Sequence, residues 1–202
     1  MVNETNGVFI QGHIKIHDPE TGEVLVNKKN AIHYENMSIA LAQSLGNEGN
    51  GPISEMSFGN GGTSIDPTGV ITYLTPNSTG TNASLYNQTF SKIVDDRNAN
   101  NLDPNRNKIE TRHVSGTNYT DVIVTCLLDY GEPNGQDAFD TAASTDAPFV
   151  FDELGLRSAP VAGQERGRLL THVIFHPEQK SLNRLIQIDY TVRVQSLSGG
   201  NT

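Results

Sequence analysis

Histidines and carboxylates are the residues of this chain with the most obvious chemical use. There are six histidines, and two pairs stand four apart, His13 with His17 and His172 with His176. On a helix that spacing would put both rings on one face and offer a zinc site. Both pairs fall in stretches of alternating polarity, however. Strand residues four apart are separated by ~13 Å, whereas one zinc ion holds its ligands at about 2 Å. Neither pair is therefore expected to bind a metal by itself. Asp152 and Glu153 stand together between Phe149-Val150-Phe151 and Leu154-Gly155-Leu156. Consecutive strand residues point to opposite faces, so the two are not expected to work as a shared acid/base pair. Glu153 reads instead as a turn or interface carboxylate bonded to backbone. Asp95, Asp96 and Asp103 lack the alternating acidic spacing of a calcium loop.

The nucleophile search ends the same way. Cys126 is the single cysteine, so no intramolecular disulfide can form. It lies within Val122-Ile123-Val124-Thr125-Cys126-Leu127-Leu128 with no base beside it, and reads as a small buried hydrophobe. Gly59-Asn60-Gly61-Gly62 lacks the Lys-Ser/Thr end of a phosphate-binding loop, and no Gly-x-Ser-x-Gly elbow occurs. The expectation is a protein that is not an enzyme, with no cofactor and no metal.

The elements that carry these residues are mostly strands. Val8 to His17 alternates, with Val8, Ile10, Gly12, Ile14 and Ile16 on one side. Asp18 to Glu23 supplies a turn, and Val24-Leu25-Val26 returns to complete a hairpin. From Tyr34 to Leu45 the period changes to three and four, and Gly46 stands where a helix ends. Ile53 to Phe58 alternates again and runs into the Gly59 to Thr63 loop. Residues 64–84 read as a long surface loop, and 95–107 as a polar, exposed excursion of disordered composition. Residues 86–94, 108–114, 119–130, 149–157, 168–176 and 185–195 read as further strands. The last is the cleanest, with Ile186, Ile188, Tyr190, Val192 and Val194 facing inward. The expected fold is mainly β: an antiparallel β-sandwich, with a jelly roll as one form it can take, one N-terminal helix and long polar loops. The expected layout is an N-terminal hairpin-plus-helix extension over 1–50, a β-sandwich module over 51–197, and a disordered tail over 198–202.

Composition narrows the functional classes. Apolar residues make up 35 % and aromatics 6 %, with no tryptophan, and the net charge is −9. An acidic surface without basic stripes does not suit nucleic acid. No apolar run is long enough to span a membrane as a helix, and no secretory signal is visible. The lean core and long loops point to a homo-oligomer, a trimer or a higher ring. Met37, Ala40, Leu41 and Leu45 form the apolar strip by which the helix would dock, on its own module or on a neighbouring subunit.

Four blocks, taken in order, carry a family resemblance. Ile53-Ser54-Glu55-Met56-Ser57-Phe58 followed by Gly59-Asn60-Gly61-Gly62 resembles the apolar strand and Gly-polar-Gly-Gly start of phage tail-collar and tail-fibre attachment domains. Phe151-Asp152-Glu153-Leu154-Gly155-Leu156 resembles their phenylalanine, acidic, Gly-Leu hallmark. Gly167 to Phe175, with Pro177 and Lys180 after it, looks like the strand that follows. Ile186 to Val194 looks like the closing strand. The resemblance covers roughly 53–195 and implies a structural component of a tailed-phage virion, located in the virion after assembly in the host bacterial cytoplasm. Its partners would be other virion proteins, and its place the tail, neck, collar or baseplate. Because no fibre shaft follows the module, a stand-alone adaptor is expected. The alternatives are a capsid decoration (cement) protein and a glycan-binding β-sandwich.

Overall fold

The computed structural model describes residues 7–134 and 149–197. Eleven strands and one helix make up these residues, in the order β1 (Gly7–His17), β2 (Val24–Ile32), α1 (Tyr34–Leu45), β3 (Ile53–Gly59), β4 (Thr63–Ile65), β5 (Ile71–Tyr73), β6 (Gln88–Ile93), β7 (Lys108–His113), β8 (Tyr119–Leu128), β9 (Phe149–Ser158), β10 (Thr171–Lys180) and β11 (Ile186–Leu197). Nine strands join in one antiparallel sheet, ordered β6-β3-β9-β10-β2-β1-β11-β8-β7, while β4 and β5 form a separate hairpin. The fold is mainly antiparallel β with one helix, as expected, and its sandwich-like core comes from a single sheet curled on itself. Lys92 of β6, at one edge, donates to the Leu127 carbonyl of β8 near the other edge at 2.6 Å. A single cluster fills the enclosed space, drawing on β1, β2, α1, β3, β8, β9, β10 and β11. Five of the seven phenylalanines, Phe58, Phe90, Phe149, Phe151 and Phe175, form one run of ring contacts at centroid separations of 5.4–6.2 Å.

Of the extension expected over 1–50, the described residues 7–50 are laid out differently. β1 pairs with β11 along its whole length and with β2 over six positions, and β2 in turn pairs with β10. The hairpin is the middle of the sheet because its inward residues Ile14, Ile16, Val26 and Ile32 are needed by the same core. β2 also runs well past Val26, since Asn27 to Asn30 stay in the ladder as cross-strand partners of β1. The helix falls on the expected residues. His33 caps it, its Nδ1 accepting the Asn36 backbone N–H at 3.2 Å. Met37 and Ala40 are buried and Leu41 packs against the core, but Leu45 is 89 % exposed and takes no part in docking.

Two polar regions hold more structure than their composition foretells. Residues 64–84 hold most of β4 and all of β5. The 95–107 excursion folds around Asn101 and Asn107, both buried. The Asn101 side-chain amide donates to the Asp95 and Asn107 carbonyls, and Asn107 Oδ1 accepts the Leu127 backbone N–H at 2.9 Å. Amide side chains here substitute for the hydrophobic contacts that usually order a loop. The tail expected over 198–202 lies outside the described residues.

Candidate functional site

β9 is the strand on which the polar chemistry converges. Phe149 and Phe151 belong to the core cluster, as do Leu154 and Leu156, so the alternation changes phase across Asp152-Glu153. Opposite that point β10 carries extra residues. Its register steps from Ile174↔Glu153 to Glu178↔Phe151, which sets Phe175, His176 and Pro177 against Asp152 alone. A bulge of this kind suits proline, which has no N–H to give the ladder.

The phase change turns both carboxylates onto one loop. Asp152 Oδ1 accepts the Gly62 N–H at 2.9 Å, and Oδ2 accepts the Thr63 N–H at 2.8 Å and the Thr63 hydroxyl. Glu153 Oε1 accepts the N–H groups of Gly61 (3.2 Å) and Asn87 (2.8 Å), and Oε2 that of Tyr86 (2.9 Å). Glu153 is thus bonded to backbone, as its setting predicts. The two residues form no shared pair, but they meet on the same segment, which strict alternation did not anticipate. Both are buried. Burial pushes the Asp152 carboxyl above the usual range against its hydrogen bonds. For Glu153 burial acts in the same upward direction, but the bonds from His172, Asn87 and Tyr86 outweigh it and hold the carboxyl below that range.

His172 of β10 completes the cluster. Its Nε2 stands 2.9 Å from Glu153 Oε2, its Nδ1 accepts the Asn77 N–H at 2.8 Å, and the ring is wholly buried. Farther along β9, the buried Arg157 reaches Ser57 Oγ, the Gly167 carbonyl, Ser84 Oγ and Gln88 Oε1 at 2.7–3.0 Å. Four side chains of β9 and β10 therefore hold the chain that leads from β3 into β6, at Gly61, Gly62, Thr63, Asn77, Ser84, Tyr86 and Asn87 and at Gln88, the first residue of β6. His172 was read in the sequence only as half of a metal pair. The acidic doublet followed by Arg157, four residues after Glu153 in an apolar setting, is the available sign of the cluster.

The glycines follow from this closeness. A Cβ on Gly59 would lie 2.4 Å from the Asn87 carbonyl oxygen, and one on Gly61 2.7 Å from the Asn87 nitrogen. At Gly62 it would meet Ile174 at 2.9 Å. At Gly155 it would lie 2.3 Å from the Thr171 carbonyl oxygen, so this glycine serves a close backbone approach. Through the pairs Ser57↔Gly155, Phe58↔Leu154 and Gly59↔Glu153, the first two blocks of the sequence resemblance are adjacent strands. Lys180 of the third block is a clamp. Its buried Nζ donates to the carbonyls of Asp129, Glu132 and Ser181 at 2.8–2.9 Å, and burial draws the ammonium down to about 8.

The remaining candidates separate. His13 and His17 lie on β1, and His172 and His176 on β10. Among the described residues no group of three or more metal-ligating side chains converges. Cys126 is buried, and burial pushes its thiol up to about 12. Asp95 and Asp103 bond to Arg97 and Arg106 within their own turns. A cleft of about 490 Å³ between β6 and the 95–107 connection is lined by charges that pair with one another, Lys92 with Glu132 and Arg106 with Asp103 and Asp129. Among the described residues no helix is long and apolar enough to cross a membrane. No protein-family profile, curated protein or solved structure matches the chain.

Proposed function

We propose that the chain is a structural component of a tailed-phage virion, an assembly or attachment module of the tail, neck, collar or baseplate that works as a homo-oligomer among other virion proteins. The observation that carries this reading is the treatment of the β4–β5 hairpin. A two-stranded hairpin is marginal by itself, yet this one is fastened to the sheet by Asp152 at its first strand, and the chain after it by Glu153, His172 and Arg157. Its own apolar side chains do not enter the core. Ile65 and Val70 are 62 % and 59 % exposed, and Tyr73 and Leu74 are exposed as well. An element immobilised by buried polar groups, while presenting apolar side chains outward, is suited to receive a neighbouring subunit. The sequence resemblance supports the same reading, since its Gly-rich and acidic blocks are the two sides of this fastening.

Light scattering tests the assembly half. The wild-type chain should be an oligomer. The double variant Ile65→Ser, Tyr73→Ser should be a monomer that still melts cooperatively, with a melting temperature independent of concentration, because neither residue contributes to the core. A wild-type chain that stays monomeric at high concentration would remove the argument. The location half is tested by immunogold labelling of purified particles. Label at the tail or neck supports the proposal, whereas label distributed over the capsid would transfer the protein to the decoration class.

A further inference from the structure

His172 is wholly buried, and both of its ring nitrogens are engaged. Glu153 Oε2 reaches its Nε2 from β9 at 2.9 Å, and the Asn77 backbone N–H donates to its Nδ1 from the β5–β6 connection at 2.8 Å. The Tyr86 ring stands 5.7 Å away, tilted by 49°. The other carboxylate of β9, Asp152, is committed to Gly62 and Thr63. On the neighbouring strand β2, His172 is paired with Ala31, and Lys28 of that strand is tied to the Ile174 carbonyl at 2.8 Å. A ring nitrogen that accepts an amide N–H cannot carry a proton of its own, so Nδ1 is the position at which an added proton would meet the Asn77 amide.

We propose that His172 is a proton-operated latch: a proton added at Nδ1 ejects the Asn77 amide and frees residues 77–84, while Thr75, tied to the Tyr86 hydroxyl, the buried Leu85, the β4–β5 hairpin and Asn87 stay fastened. Two N–H donors cannot face each other at 2.8 Å, so either the ring or the chain must move. The ring is the better held of the two, since an imidazolium gains attraction from the Glu153 carboxylate behind it. Glu153 keeps its bonds to Gly61, Tyr86 and Asn87 throughout, and Asp152 keeps Gly62 and Thr63. The Asn77 side-chain amide donates to the Ser84 carbonyl at 2.7 Å, so 77–84 moves as one piece. The Ser84 hydroxyl gives up its contact with Arg157 in the same step. The strap lies between the exposed hairpin and β6, so acidification would reshape the surface beside the hairpin without unfolding the sheet. The latch stands on its own geometry and does not depend on the virion reading.

Amide exchange in the ¹⁵N-labelled full chain from pH 8 to pH 5, corrected for intrinsic rates, tests it. This is the range in which imidazoles ordinarily take up a proton. The opening constant at Asn77 should rise ~tenfold per pH unit on the acid side of the transition, as for one linked proton, while Gly62 stays protected. In His172→Asn, Oδ1 replaces Nδ1 as the acceptor and cannot be protonated in this range, so the pH dependence should vanish. Three results would each overturn the proposal: pH-independent protection at Asn77, the same rise in His172→Asn, or joint opening of Gly62 and Asn77. If the variant does not fold, wild-type resonances decide. The His172 ring and the Asn77 amide must titrate with one midpoint, and separate midpoints end the latch.

Discussion

Gly155 shows how a single missing atom can be essential. The Thr171 carbonyl and the Leu169 side chain occupy the space a Cβ would need, at 2.3 and 2.7 Å. The carbonyl belongs to backbone that cannot swing aside, since the neighbouring Leu170 N–H is bonded to the Leu156 carbonyl at 2.8 Å. Gly155→Val should therefore cost about 3 kcal/mol, at the upper end of core overpacking, and lower the melting point by roughly 6–12 °C. A melt within a degree or two of wild type would contradict this geometry. Glu153 acts through charge. Its carboxyl is held below the ordinary value of 4.5 by His172 and the backbone amides of Asn87 and Tyr86, against the upward push of burial. A depressed folded-state value means stability that is present above that ordinary value and lost as pH falls through the folded one. Asp152 is raised by burial and has the opposite sign: its favourable contribution is greatest in acid and declines as pH rises through its folded value. Glu153→Gln should cost about 2 kcal/mol at pH 7, as an imperfectly replaced buried acceptor, and less at pH 4. Urea titrations at the two pH values check this, and an equal loss at both would contradict the charge argument.

At the scale of elements, the helix separates apolar pattern from apolar contact. Met37 and Leu45 share the periodic strip, yet one is 5 % and the other 89 % exposed. Met37→Ala should cost 2–3 kcal/mol, as for a buried side chain cut to its Cβ, and Leu45→Ser should stay within about 0.5 kcal/mol. Chemical denaturation of the two variants distinguishes them, and similar losses would mean that the whole strip docks. The helix was legible because its period of three to four is local and Gly46 ends it. β11 was legible because Ile186, Ile188, Tyr190 and Val192 alternate without interruption. β2 was cut short because Asn27-Lys28-Lys29-Asn30 gives no apolar signal, although cross-strand pairing with β1 keeps these residues extended. β4 and β5 were missed because three-residue strands carry no period of their own. The clasp was half visible. The acidic doublet and the Gly-rich loop could be singled out, but their meeting depends on a phase change in β9 that a bulge in β10 accompanies, some twenty residues away.

For the molecule as a whole, the position of the N-terminal hairpin decides how the protein can assemble. A sequence reading that places a complete module after residue 50 allows the first strands to be lent to a neighbour. The sheet order leaves no such freedom, because β2 and β1 are the only described strands between β10 and β11. β11 runs against β1 from His17↔Gln187 to Gly7↔Leu197, and α1 lays Met37 and Ala40 over the same core. Removing residues 1–46 would divide the nine-stranded sheet into a β6-β3-β9-β10 half and a β11-β8-β7 half. Each half would expose an apolar face and a new open edge, which favours aggregation. The truncated chain should therefore be insoluble, or should lack a cooperative melt by circular dichroism. Adding a peptide of residues 1–46 during refolding should recover part of the native signal, because the missing strands are contiguous in sequence and their register is set by β11. If the truncated chain is instead soluble, folds cooperatively and loses only its oligomeric state, the hairpin is an exchanged arm, and the contacts that build the oligomer lie there and not on the β4–β5 hairpin.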